Sequence, residues 1–480
     1  MTQSTLSAAL LAISLDRKLK EPLHAQLANQ FRKLILERQV ATGQRLPSSR
    51  LLARELSVSR ATVTSAFDQL ISEGYAEGRP GSGVYAATDL PEYAFSTKRR
   101  DTTHGDDLPL PKKPRPFETS APDLDNFPYR EWARLLDQAW RAPEAALLAK
   151  PDPFGWGPLR GAITAHLHDW RGVTCSPSQI IITSGLVDAI ELIAKAALNT
   201  GDIVMVEEPG HHILRSALLA NALKLRPVPV DNSGFATEQC SKTIRKAGAV
   251  VVTPSRHFPL GMTLPLARRL ELLEWANREG GLIIEDDFDS EYRYVGQPLP
   301  ALMSLDEQEC VIYVGSFSKV MMPALRLGFV VLPNRLIKEA RKVLASTGPR
   351  ASLVAQPALQ RFMESGSFST HIRRMRRLYI QRQKILTTAL SSHTDGLISV
   401  EPSPGGMHIV ADFTARFAEH TTDIEVSQSA SLAGLTLSAL STYYAGKPTR
   451  QGLLLGFAGF DEASLHSGVA RLIDVLASYR

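Results

Sequence analysis

Cysteine is scarce in this chain of 480 residues: Cys175, Cys240 and Cys310 stand far apart and are odd in number. Such spacing excludes a disulfide framework, supplies no set of metal ligands and fits a reducing compartment. Long apolar runs are lacking as well. The stretch LSAALLAISL near the start is too short to span a bilayer and has neither the basic lead nor the cleavage pattern of a secretion signal. A cytoplasmic protein with no membrane contact is therefore expected. The net charge is only +5, so any strongly basic face must be local. One is visible: between Arg32 and Arg60 lie seven Lys and Arg against only Glu37 and Glu55. At 44% hydrophobic and 21% charged residues the composition is that of a globular protein, with length for two or three domains. No internal repeat is found.

The N-terminal part, residues 1–87, reads as short helices followed by a hairpin. Leu23, Leu27, Phe31, Leu34 and Ile35 recur at helical spacing. Ser48 or Ser49 is placed to cap a second helix running through Glu55. Ser59 is placed to cap a third, with Val63, Phe67, Leu70 and Ile71 on one face. YAEGRPGSGVYAA reads as two small strands around a Gly/Pro turn. Residues 88–116 are rich in proline and charge and show no hydrophobic period, as in a tether between domains.

From residue 117 to 480, apolar runs alternate with helical patterns. QIIITSG, DIVMVEEPG, AVVVTPS, GLIIEDD and CVIYVGS are continuous rather than alternating, as in strands buried on both faces of a parallel sheet. Helices over Val187–Leu198 and Pro265–Arg278 separate them. From Pro349 on, a long basic helix leads into a smaller α+β part.

Two chemistries are written into these segments. In SRATVTSAFDQL, small or basic residues lead (Arg60, Thr62, Thr64) and apolar anchors follow, as suits a helix whose leading end meets base edges or phosphates. Arg50 adds a guanidinium from the preceding helix, and Gly81 lets a hairpin tip approach a groove. Farther along, Lys319 in SFSK offers an amine for a Schiff base, and Asp286 ends the buried run LIIEDD, where α/β sheets place ligands. Arg326, Ser316 and Ser318, with the backbone at Gly185 and Leu186 where a helix begins, suit an anion. Taken singly, each of these residues serves equally well as an ordinary loop or surface group.

Their order carries the resemblance. The run from EPLHAQLANQFRKLI through GQRLPSSRLLARELSVSRATVTSAFDQLISEGYAEGRPGSGVYAA resembles a GntR-type winged helix-turn-helix. The succession GWGPLRGAI, ITSG, VEEPG, TPSRHFPLG, IIEDDFDSEYRY and GSFSKVMMPALRLGF resembles a fold-type I aminotransferase domain. The whole resembles the MocR/GabR-type transcriptional regulators. That likeness implies an α/β fold with a winged helix-turn-helix head, a linker, a large mainly parallel α/β domain and a smaller C-terminal α+β part. It implies operator DNA at Arg50, Ser59, Arg60, Thr62, Thr64 and Gly81. It also implies pyridoxal 5'-phosphate held by Lys319, paired with Asp286 at the pyridine nitrogen and with Arg326 at the phosphate.

Several positions depart from the family pattern. His211 replaces the tyrosine that stacks on the ring, and Phe288 replaces the tyrosine that donates to the phenolate oxygen. Lys150 or a neighbour stands where a tyrosine reaches the adjoining subunit, Leu186 replaces a small polar residue, and Ser255-Arg256-His257 alters PSHQFP. Either the site has drifted free of catalytic demand, or it is retuned for one effector, with Arg256, His257 or His211 meeting an acidic group. The resulting expectation is a homodimeric regulator with no catalytic role and no metal. It would sense a small amine or amino acid by external aldimine formation; the alternative is an active aminotransferase carrying an accessory head.

Overall fold

The computed structural model describes residues 13–19, 21–90, 113–149, 152–239, 247–296, 299–349 and 351–479. The chain divides into two compact units, Met1–Pro111 and Lys112–Arg480. Lys150, Cys240 and most of the expected tether lie outside the described residues.

In the first unit, α1 (Leu23–Leu36) buries Leu27, Phe31, Leu34 and Ile35, one stripe of a 3.6-residue repeat. Ser48 is the cap of α2 (Ser49–Glu55), its hydroxyl accepting from the Leu51 amide at 3.3 Å. Ser59 caps α3 (Arg60–Ser72) and accepts from the Thr62 amide at 3.0 Å. Val63, Ala66, Phe67 and Leu70 enter the core, where Phe67 meets Phe31 edge-on. Ile71, expected on that face, is exposed. It lies about 80° round the helix from Val63, at the rim of the buried stripe. An antiparallel hairpin, β1 (Ala76–Arg79) and β2 (Gly83–Ala86), completes the unit.

The second unit begins by packing on its own far end. The Pro116 carbonyl accepts from the Thr436 amide at 3.0 Å, and Phe117 is fully buried. Helices α4 (Tyr129–Arg141) and α5 (Gly157–Arg171) lead into β3 (Ile180–Thr183) and α6 (Leu186–Ala197). Then come β4 (Ile203–Glu208), α7 (His212–Ala220), β5 (Lys224–Asp231), β6 (Gly234–Phe235) and β7 (Ala249–Val252). They are followed by α8 (Leu266–Glu279), β8 (Leu282–Asp286), β9 (Val311–Ser316) and β10 (Gly328–Val331).

Among the described residues these strands form one sheet in the order β3-β10-β9-β8-β7-β4-β5-β6. β5, β4, β7, β8 and β9 pair in parallel, whereas β10 runs antiparallel to both neighbours. The five apolar runs of the sequence are β3, β4, β7, β8 and β9. Helices cover both faces, so β3, β7 and β8 are buried along their whole length. β5 gave no comparable apolar run: its Pro227 and Pro229 are exposed near the sheet's edge, the place where a strand tolerates proline.

Helices α9 (Asn334–Thr347), α10 (Gln356–Glu364) and the 27-residue α11 (Ser367–His393) lead to the smaller part. There β11 (Ile398–Val400), β12 (His408–Phe413), β13 (Ser438–Ala439) and β14 (Gly452–Gly456) make an antiparallel sheet. α12 (Asp423–Leu432) and α13 (Glu462–Ala477) complete it. Among the described residues no helix is long and apolar enough to cross a membrane, and no group of His, Cys, Asp and Glu is arranged to hold a metal ion.

Candidate cofactor site and nucleic-acid interface

In the first unit the leading turn of α3 presents its polar groups outward. Arg50, Ser59, Arg60 and Thr64 are exposed and Thr62 is half-buried. Arg60 Nε donates to Ser49 Oγ at 3.2 Å, so the side chain is steered toward α2. At the hairpin tip Gly81 is exposed with φ +73°, and a Cβ there would meet nothing within 4 Å. Arg79 lies over the Tyr85 ring at 4.2 Å, and Tyr85 Oη meets Ser82 Oγ at 2.6 Å. These contacts lie within the hairpin and brace its tip.

In the second unit the singled-out residues gather at the C-terminal ends of β8 and β9 and the start of α6. Lys319 follows β9 in a loop pinned on both sides: Tyr292 Oη donates to the Lys319 carbonyl at 3.2 Å, and His371 Nε2 to the Val320 carbonyl at 3.0 Å. Burial lowers the Lys319 amine to about 8, opposed by the attraction of Asp289 and Asp286. The Lys319 Nζ stands 5.3 Å from the Phe288 ring centre. Asp286, the last residue of β8, is buried. Burial pushes its carboxyl up to about 7, with Asp287 adding to the shift and Lys319 opposing it. Its Oδ2 has no hydrogen-bond partner.

The anion-suited residues surround the same corner. Ser318 donates its amide to Ser316 Oγ at 3.3 Å, and Arg326 is exposed in the left-handed region at φ +51°. Gly185 caps α6 at φ +107°, a conformation that favours glycine, and leaves the first-turn amides of Leu186 and Val187 without a side-chain cap.

His211, Phe258 and Phe288 form one aromatic cluster, with ring centres 4.6 to 6.0 Å apart. Burial pushes the His211 imidazole down to about 3, helped by His212 and Lys319, so the ring is neutral. Its Nδ1 is buried without a partner.

Arg256 and His257, expected at an effector's acidic group, are engaged within the protein. The Arg256 guanidinium pairs with Asp289 at 3.2 Å and donates to the Gly405 and His408 carbonyls at 3.1 Å each. A Cβ at Gly406 would come within 2.2 Å of that guanidinium. His257 Nε2 bonds the Pro209 carbonyl at 3.1 Å, and burial holds its ring neutral, at about 3. Sequence patterns could not have revealed the Arg256 pairing, because its carbonyl partners lie about 150 residues away. They also passed over Tyr292 and Asp289, although both stand within the quoted run IIEDDFDSEYRY.

A search of family models matches residues 23–86 to "Bacterial regulatory proteins, gntR family" and residues 125–448 to "Aminotransferase class I and II". The "Probable rhizopine catabolism regulatory protein MocR" of Rhizobium meliloti is 36% identical, over 95% of this chain and 94% of its own. The "HTH-type pyridoxine biosynthesis transcriptional regulator PdxR" of Corynebacterium glutamicum is 32% identical, over 97% and 99%. An archaeal alanine:glyoxylate aminotransferase superposes with a TM-score of 0.71 at 22% identity, over 77% of this chain and 92% of its own, a likeness of fold. Head, effector unit and end-to-end identity agree: the chain belongs to the MocR-type transcriptional regulators, in which a gntR-family head is joined to a class I and II aminotransferase domain.

Proposed function

We propose that this regulator binds operator DNA through Arg50, Ser59, Arg60, Thr62, Thr64 and Gly81 and detects a small amino compound through pyridoxal 5'-phosphate held on Lys319. The observation that carries the reading is a half-buried amine of lowered basicity near a buried carboxylate, Asp286, one of whose oxygens lacks a partner. When bound, the cofactor supplies an aldehyde carbon for an amine and a ring that withdraws electrons while its nitrogen is protonated.

Each residue then has a defined task. Lys319 supplies the amine, and burial keeps a share of it neutral near neutral pH, as a nucleophile requires. Asp286 Oδ2 would accept the ring N–H, which gives a buried oxygen the hydrogen-bond donor it lacks. Ser316, Ser318, Arg326 and the α6 amides after Gly185 would receive the phosphate, favoured there by the helix dipole. His211 offers a neutral flat face. Phe288 offers no hydroxyl, so proton handling at the ring's oxygen is weakened while the anchoring groups remain.

That balance favours holding an amine over turning it over. A Lys319 amine left free would lie under the attraction of Asp286 and Asp289, and one engaged by the cofactor would not, a difference between two states of the kind a ligand-driven switch needs. In this reading an effector's acid group at Arg256 would share the guanidinium with Asp289. A homodimer would offer two heads to paired half-sites. The names of the relatives, rhizopine catabolism in one and pyridoxine biosynthesis in another, differ in what they regulate.

Adding pyridoxal 5'-phosphate to the full chain should raise a near-ultraviolet or violet absorbance band, and a screen of amines should shift it. Absence of any band would exclude the cofactor. Sustained product formation from an amine and 2-oxoglutarate over many turnovers would favour the aminotransferase reading instead.

A further inference from the structure

The long helix α11 carries six cations, Arg373, Arg374, Arg376, Arg377, Arg382 and Lys384, and not one Asp or Glu in 27 residues. Two are absorbed by the fold. Arg382 is buried against Asp123, and Arg376 donates to the Glu291 carbonyl and lies over Trp170. The other four are exposed, and among the described residues none of them is ion-paired. Arg374 reaches Asn126 and Arg373 reaches Thr370, both neutral groups.

Their spacing places them together. Steps of four and eleven residues are close to whole turns, so Arg373, Arg377 and Lys384 fall within about 40° of one face, over a length of about 17 Å. Like charges at i and i+4, as in Arg373 and Arg377, destabilise a helix. A merely solvated face normally offsets such repulsion with acids. The exposed face of α8 does so with Glu271, Glu274 and Glu279 among its arginines, while α9, with Arg335, Lys338, Arg341 and Lys342, does so only in part, through Glu339. On α11 the repulsion is left standing.

We infer that this face of α11 is a second DNA contact, a sequence-independent one made to phosphates flanking the bases read by the head. It rests on the operator-binding role proposed above and adds a surface to it. Duplex DNA presents one negative charge per about 1.7 Å of axis, so a stripe of this length and sign meets a matching line of charge. Guanidinium and ammonium groups on a rigid helix hold that line without reading sequence.

The test uses the full chain and a duplex selected by it from a random library. That duplex is then trimmed to the bases the head protects, or extended by about 20 base pairs on each side, two helical turns. Replacing Arg373, Arg377 and Lys384 together by Glu should leave affinity for the trimmed duplex unchanged. On the extended duplex it should weaken binding and reduce the salt slope by about 2 to 3, near 0.9 per lost phosphate contact. The triple Gln variant should do the same more mildly, and an unaltered cofactor band would show that the second unit is folded.

An unchanged slope on the extended duplex, or an equal loss on both duplexes, would overturn the inference. So would a wild-type chain that gains nothing from the added flanks. Failure of the wild-type chain to select any duplex would instead overturn the operator-binding role itself.

Discussion

Most residues expected to meet DNA stand in water on capped helices and a hairpin tip, whereas Lys319 and Asp286, expected to meet a cofactor, sit among charges of both signs. Arg60 and Thr64 are exposed and need nothing from the rest of the fold beyond a helix start set by Ser59. Lys319 and Asp286 have their acid–base properties set first by burial and then by each other's charge and by the acids at Asp287 and Asp289. A recognition surface of the first kind is modular. One of the second kind exists only as part of its domain. The same contrast separates stable burial from unmet burial, since the orphaned Asp286 Oδ2 is a cost that a bound partner would remove.

The largest way to break the comparison is Lys319→Ala. It should abolish the cofactor's violet band while leaving DNA affinity nearly unchanged, as read by titrating both on one preparation. Loss of DNA binding with an intact head would show that the two regions are not separable.

Asp286→Asn tests burial directly. The native-state carboxyl titrates near 7, against 3.8 as its ordinary value. The unfolded chain therefore loses this proton first, and the group lowers stability progressively as pH rises from about 4 to about 7, with no further change above. The cofactor-free Asn variant should gain in Tm relative to wild type across that window and keep a constant advantage beyond it, while its affinity for the cofactor falls. A parallel pair of Tm-against-pH curves would contradict the assignment.

Smaller effects belong to the head. Arg60→Ala should weaken operator binding by about 1 to 3 kcal/mol if the guanidinium reads a base. Ser59→Ala should lower the head's stability by about 1 kcal/mol through the lost cap, measured by denaturation of the full chain. If Ser59→Ala instead harmed DNA affinity far more than stability, the hydroxyl would be a contact as well as a cap.

Legibility followed the range of the forces involved. The five buried strands were readable because helices on both faces demand continuous apolar runs, and the caps at Ser48 or Ser49 and at Ser59 because capping is local. Ile71 was misjudged by the width of a helical stripe, and β5 was passed over because its prolines are acceptable only near an edge. At the site, residue types and order pointed to Lys319 and Asp286. The engagement of Arg256 was invisible, for it depends on carbonyls that only the folded chain brings near.

That engagement bears on any attempt to alter the residues around the proposed site. Arg256 is locked by Asp289 on one side and by the bare backbone of Gly406 on the other. Replacing Arg256 leaves the buried Asp289 carboxylate without its cation, whereas His211, whose Nδ1 has no hydrogen-bond partner beside two phenylalanines, can be replaced without breaking an ion pair.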